Sequence, residues 1–206
     1  EANMARMIAT YNAESESAQG LAARLNRDPK RISWSDTLVR DAVANRPIPV
    51  NSGCIRAAMY RPFVAQAVYF DRSTNERVYQ MDRVFPSAAH ANLGYYVVGP
   101  GSDKPFAALM TEALPDLATW GSSSGQFFPR WTFEKVDGGQ ESLMDATQGD
   151  VDEWGYRRVD NITDGIQAVY RGAFGGQVTK DDVFFYVYGV LHSPQYRTTF
   201  AADLKR

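Results

Sequence analysis

Residues 56–80 read RAAMYRPFVAQAVYFDRSTNERVYQ, and this stretch leaves the chain few options. Two short β-rich runs flank Pro62 and end in a polar cluster of Asp71, Ser73, Thr74 and Asn75. β-branched and aromatic residues suit a pleated surface, and a proline or polar cluster between such runs marks a turn. A hairpin is predicted, with Ala57, Met59, Tyr60, Phe63, Tyr69 and Phe70 as buried strand positions. Arg56, Arg61, Arg72 and Arg77 interleave with these residues. Two readings of the arginines stay open. They pair with Asp71, Glu76 and Asp82 on a solvated face, or they lie with neighbouring amides against a polyanion.

The chain has 206 residues, of which 44% are hydrophobic. That is enough for one large domain or two small ones, and it is not a disordered composition. No apolar run approaches the length of a bilayer span, and no leader pattern opens the chain. Cys54 is the single cysteine, so no internal disulfide forms and a cytoplasmic location is expected. The net charge of −2 argues against an indiscriminate polyanion binder. The charge is uneven, however. Residues 1–135 carry 15 Lys/Arg against 13 Asp/Glu, whereas residues 136–206 carry 7 against 11. Such a division leaves room for one local anionic ligand. The chain starts at Glu1 inside one helical pattern and stops at Arg206 inside another, which predicts an excised piece of a longer protein.

Residues 3–25 read as helix, with Met4, Met7, Ile8 and Tyr11 on one apolar face and Gly20 as a possible break. A second helix spans 36–45, capped by Ser35 or Ser33, with Leu38, Val39, Ala42 and Val43 inward. Residues 54–70 form two strands, and 94–99 form another. Residues 106–112 suit strand or helix. Short strands are expected at 117–120 and 126–133. Residues 136–158 are glycine-rich and acidic, and are read as a long solvated loop. Helices follow at 162–174, from Thr179 onward, and from Ser193-Pro194 onward. The helix after Thr179, with Val183, Phe184, Tyr186, Val187, Val190 and Leu191, is expected to be buried. The fold class is α+β: a mixed central β-sheet flanked by an N-terminal helical segment and a C-terminal helical subdomain. Its parts are 1–26, a helical link, and 27–206, the main domain. The latter comprises a sheet region (54–135), an acidic loop (136–160) and a helical region (161–206).

Catalytic chemistry finds little support. Residues 121–125 match G-x-S-x-G with Ser123 as nucleophile, and Asp181 and His192 would complete the triad order. That elbow needs a helix after the serine, and strand-like Gln126-Phe127-Phe128-Pro129 follows instead. Residues 99–104 follow a strand but lack the ending of a nucleotide phosphate loop. His90 and His192 have no metal-ligand neighbours in sequence. No cofactor loop and no nuclease carboxylate pattern are present, since Pro115-Asp116 is followed only by adjacent Glu134-Lys135. The catalytic, metal and cofactor assignments for this chain are therefore none. What remains is a surface for reading. Arg56, Arg61, Arg72, Asn75, Arg77 and Gln80 have side chains that read guanine and adenine edges. Lys30, Arg31, Lys104, Ser123 and Arg130 suit phosphates.

A run of motifs then occurs in order: Ile32-Ser33-Trp34-Ser35, Tyr60-Arg61-Pro62-Phe63, Tyr69-Phe70-Asp71-Arg72, Asn75-Glu76-Arg77, Val84-Phe85-Pro86, Leu114-Pro115-Asp116-Leu117, Gln126-Phe127-Phe128-Pro129, and FFYVYGVLHSPQYR over 184–197. This resembles the C-terminal specificity domain of the Type ISP single-polypeptide, ATP-dependent restriction–modification enzymes, often labelled DEAD/DEAH-box or damage-inducible helicases. The resemblance covers nearly the whole chain, and the C-terminal helix pair is its more specific mark. It implies a target-recognition domain that contacts double-stranded DNA. It also implies a parent chain with an N6-adenine methyltransferase, a helicase-like motor and an endonuclease, using ATP, Mg2+ and S-adenosylmethionine. Residues 1–26 would then link to the preceding methyltransferase domain, and no membrane is involved. Target-reading residues differ within the family, so the contact residues above rest on side-chain type alone. The alternatives are an interdomain or protein–protein scaffold and, third, a serine hydrolase.

Overall fold

The computed structural model describes residues 2–100, 102–121, 124–136 and 150–205. The chain divides into two compact units, Glu1–Arg56 with Ala67–Tyr79, and Ala57–Gln66 with Gln80–Arg206.

The first unit is built on two helices, α1 (Ala2–Ala18) and α2 (Asp36–Val43). Ile8, Tyr11 and Ala18 of α1 meet Leu25, Ile32, Ala42 and Ile48 in one buried cluster. The inward face of α1 is rotated from the expected one, because Met7 is exposed while Glu14 and Ser15 are buried. Both buried polar groups are satisfied. Glu14 accepts from the Asn26 N–H at 3.1 Å and pairs with Arg31 at 2.9 Å, and Ser15 Oγ donates to the Ala42 carbonyl at 2.9 Å. The helix ends seven residues before the expected boundary. Gln19 and Gly20 both take positive φ (47° and 79°), which stops the i to i−4 ladder. Ser35 caps α2 by accepting from the Leu38 N–H at 3.2 Å.

The hairpin is present as β1 (Ile55–Arg61) and β2 (Val64–Tyr69), joined by Pro62-Phe63. Its burial differs from the expected pattern. Ala58 and Met59 are buried, whereas Ala57, Tyr60 and Phe63 are exposed. β1 lies between β2 and a two-residue strand, β5 (Leu114–Pro115), which it pairs in parallel through Ala58↔Leu114.

In the second unit a short helix α3 (Met81–Val84) precedes β3 (Gly94–Val98). β3 is the centre of an antiparallel sheet between β4 (Ala108–Thr111) and β6 (Gly125–Pro129). The expected strand at 117–120 is a turn. The expected strand at 126–133 is two strands, because the chain turns at Arg130 and leaves the sheet. The next strand, β7 (Trp131–Lys135), pairs instead with β8 (Tyr156–Asp160). The end of the expected acidic loop is thus a strand, and 137–149 lie outside the described residues. The α+β class stands, with the strands among the described residues divided among three small sheets.

Helices α4 (Asp164–Phe174), α5 (Lys180–His192) and α6 (Pro194–Thr199) complete this unit. Thr179 caps α5 in a reciprocal box with Asp182. Only Val183 and Phe184 of α5 are buried, while Phe185 and Tyr186 are half exposed, so the helix is less covered than its sequence predicts. Phe184 packs on the Tyr95 ring of β3 at 5.2 Å. No helix among the described residues is long and apolar enough to cross a membrane.

Candidate nucleic-acid interface

The sequence-predicted contact residues fall on both units. Lys30, Arg31, Arg56, Arg72, Asn75 and Arg77 belong to the first unit, and Arg61, Gln80, Lys104 and Arg130 to the second. Ser123 lies outside the described residues.

Three of them serve the fold. Arg56 is 8% exposed and its Nη1 donates to the Gly53 and Ile55 carbonyls. It alternates inward on β1, because the strand's two-residue period turns Ala57 to solvent instead. Asn75 uses its amide on the Tyr69 carbonyl (2.7 Å), the Asp71 carbonyl (3.0 Å) and Thr74 Oγ1 (2.8 Å). It closes the polar turn from within, so its hydrogen-bonding edge is already occupied. Arg130 is buried where the chain leaves β6. Its Nε donates to Asp181 Oδ1 at 2.6 Å and its Nη1 to Asp160 Oδ1. A phosphate could reach it only by displacing both carboxylates.

The others face solvent. In the first unit the 71–77 turn is stiff. Asp71 Oδ1 accepts from the Ser73 N–H at 2.8 Å, forming an Asx turn. Hydrogen bonds from the Ser35 and Thr37 hydroxyls hold the Glu76 carboxyl below its ordinary value, which ties the turn to the start of α2. Arg72 and Arg77 are exposed on this anchored turn. Lys30 is exposed, beside an Asp28 that caps its own turn by accepting from the Lys30 N–H at 3.0 Å. Arg31 is half exposed but engaged by Glu14.

In the second unit Arg61 stands at the hairpin tip. Its guanidinium lies 4.1 Å from the Tyr60 ring centre and its Nη1 is 3.4 Å from Asp116 Oδ1. Gln80 is exposed at the start of α3. Lys104 is exposed, 3.1 Å from Asp103, on the rim of an open groove that also includes Phe106, Arg197 and Leu204. Exposed ion pairs of this kind are weak and exchangeable, so Arg61 and Lys104 are available to a stronger anion.

Two aromatic residues of the 56–80 stretch, neither given a contact role by sequence reasoning, are largely exposed. Phe63 is 87% exposed with φ 65°, and Tyr79 is 62% exposed with φ 49°. Neither signal is legible in sequence, where Phe63 reads as a buried strand residue.

The structure also assembles a trio that spacing concealed. Ser87 Oγ lies 2.6 Å from His90 Nδ1, and Asp152 Oδ2 lies 3.0 Å from His90 Nε2. Burial raises the Asp152 carboxyl, but the Tyr156 and Trp154 N–H groups and His90 together hold it below its ordinary value. The order of groups is that of a hydrolase relay. The imidazole, however, is 2% exposed and ringed by Phe133, Tyr156 and Trp154 at 4.9, 4.8 and 5.5 Å. Its role is to fasten the 87–90 turn to the segment that enters β8. The triad matched in sequence fails on helix geometry. Asp181 and His192 lie on the same helix eleven residues apart, about 16 Å along its axis. Among the described residues no group of His, Cys, Asp and Glu has the arrangement of a metal site.

Comparison with known proteins identifies the family. The family model described as the Type ISP C-terminal specificity domain matches residues 1–206. Among solved structures the chain is similar to the cryoEM structure of a DrdV–DNA complex, with 26% identity and a TM-score of 0.76 over 97% of this chain. It is also similar to a nuclease-deletion mutant of the Type ISP restriction-modification enzyme LlaGI in complex with a DNA substrate mimic, with 30% identity and a TM-score of 0.73 over 99% of this chain. The ATP-dependent Type ISP enzyme LlaBIII bound to DNA shares the fold at 24% identity, with a TM-score of 0.75 over 98% of this chain. The chain spans 18%, 17% and 12% of those three chains, respectively. No curated protein matches it.

Proposed function

The chain belongs to the Type ISP C-terminal specificity domain family, and we propose from that premise that it reads double-stranded DNA by sequence within a longer restriction–modification enzyme. In that enzyme it positions an N6-adenine methyltransferase and a helicase-like motor with an endonuclease on the target site. Those parts precede it in the same chain, work in the cytoplasm, and use S-adenosylmethionine, ATP and Mg2+. Residues 1–26 lead in from the methyltransferase. This domain supplies the address and takes no bond-breaking step. The observation that carries the reading is the family match along the whole chain. The solvent-facing side chains support it: Arg72, Arg77 and the amide of Gln80 are presented to base edges, and Arg61, Lys30 and Lys104 to phosphates.

The test is selection of duplexes from a randomised pool by the full-length enzyme at several salt concentrations. One motif is expected to emerge. R77A is expected to relax one position of it, by about 1–3 kcal/mol of discrimination. R61A, K30A and K104A are expected to weaken all sequences alike, each lowering the salt slope by about one. A pool that returns unenriched ends this reading.

One observation favours a second role on another face. Val169 and Phe174 of α4 and Tyr186 of α5 are 68%, 60% and 51% exposed. Phe174, Tyr186 and the half-buried Tyr170 form one aromatic cluster, with ring centres 5.7–6.0 Å apart. Exposed apolar patches mark interaction surfaces. In this reading the α4–α5 face docks on the preceding domains of the same chain. Amide exchange in α4 is then expected to be slower in the full-length enzyme than in this domain alone. Equal exchange in the two removes the scaffold role.

A further inference from the structure

The joint between β1 and β2 breaks two rules at one position. Pro62-Phe63 is a two-residue connection, with proline at the first central place and positive φ at the second. That is the pattern of a type II turn, whose second central residue is ordinarily glycine, because a Cβ is strained there. Phe63 occupies it at φ 65°. It is also 87% exposed, the most exposed large apolar side chain among the described residues. Glycine would relieve the backbone, and a polar residue would suit the solvent. The fold gains nothing from phenylalanine at this place, so its use lies outside the fold.

The surroundings say what kind of partner suits it. The neighbouring Tyr60 is 44% exposed, Val64 is 43% exposed, and Ala65 and Gln66 are also exposed. The end of the hairpin is thus open on both faces. β2 is an edge strand, with β1 on its one paired side. A two-stranded β-ribbon fits a DNA groove. Arg61, adjoining the turn, holds its guanidinium in a weak pair with Asp116, where a phosphate can take over. A flat apolar ring at the end of a ribbon, beside a cation, has the composition of the wedges that enter a base step and unstack it.

We propose that Phe63 is such a wedge. The hairpin tip enters a groove of the target duplex, Arg61 takes a backbone phosphate, and the Phe63 ring inserts at one base step within or beside the recognised sequence. Part of the sequence preference then comes from how readily that step unstacks, so flexible pyrimidine–purine steps are favoured there. This rests on the DNA-reading role proposed above and adds to it a residue and a mechanism.

The experiment uses the full-length enzyme and the duplex motif returned by its own selection. 2-Aminopurine is placed singly at each position of the motif and its flanks. With wild-type enzyme, fluorescence is expected to rise at one step that is not the methylated adenine, whose own extrusion gives a separate signal. F63A and F63G are expected to abolish the rise at that step, to leave the adenine signal in place, and to weaken binding roughly tenfold. F63W is expected to restore it. F63G also relieves the strained φ, so its melting temperature should equal or exceed that of wild type, and lost signal in F63G is not lost folding. A wild-type profile without a second unstacked step, or a step unchanged in F63G, overturns the wedge while leaving sequence reading intact. Failure of the selection to yield a motif instead removes the reading beneath it.

Discussion

R130M is expected to destabilise the second unit by about 2–3 kcal/mol at neutral pH. The Arg130 side chain is 7% exposed and binds two carboxylates, Asp160 and Asp181, which come from the end of β8 and the first turn of α5. Removing one partner of a fully buried ion pair costs about 3–5 kcal/mol, because the remaining charge is left uncompensated. Here the carboxylates keep 39% and 60% of their exposure, so water recovers part of that loss and the lower figure applies. Lys180, 3.4 Å from Asp160, holds back a little more. The pH dependence gives the test its sign. Burial raises the Asp160 carboxyl, but hydrogen bonding and charge from Arg130, with help from Lys180, outweigh it and hold the group below its ordinary value. A depressed carboxyl contributes stability above its unfolded pKa, near 4, and that contribution disappears as pH falls through the folded value. Urea midpoints of wild type and R130M should therefore stand well apart at pH 7 and draw together below about pH 4. A constant gap across that range would mean that Arg130 acts through packing alone.

G125A is expected to cost about 3 kcal/mol, at the upper end of the usual penalty for overpacking a core. On β6, Gly125 pairs with Val98, and the Tyr96 ring of β3 lies across its α-carbon. A Cβ there would sit 2.3 Å from Cε1 and Cζ of that ring. The ring has nowhere to go. Tyr96 is 2% exposed and its hydroxyl donates to the Leu117 carbonyl at 2.7 Å. The same device recurs four residues along this strand pair, where Phe127 of β6 covers Gly94 of β3, again 2.3 Å from an added Cβ. Phe127 is half buried and has no hydroxyl to anchor it, so G94A is expected to cost less than G125A. The check is the midpoint of urea unfolding at unchanged slope. A double variant Y96L/G125A should recover part of the loss, since the clash is with that one ring. Equal midpoints for G94A and G125A would show that the tyrosine anchor is irrelevant.

The local grammar of the chain was open to reading. Ser35 and Thr179 are N-caps because a short side-chain oxygen before a periodic run has one good use. Positions 94–98 are strand because β-branched and aromatic residues between glycines favour it. The misreadings share a cause. Arg130 looked like a phosphate ligand and Phe63 like a core residue, because side-chain type is all that a sequence shows. Burial is set by what other segments bring. Asp160 and Asp181 lie 30 and 51 positions from Arg130, and that separation carries no periodicity to read. The Ser87–His90–Asp152 trio was missed for the same reason, with 62 positions between its last two members.

The sequence alone determined the α+β class, the caps and turns, the hairpin and the family, since each depends on residues a few positions apart or on ordered motifs. Tertiary structure decided which guanidinium groups are sealed against carboxylates and which face water, because solvation of a charge depends on every atom around it. It also decided that the 56–80 stretch presents a strained phenylalanine at its turn. That backbone twist is fixed by closure of the ribbon, and one-dimensional pattern does not encode it.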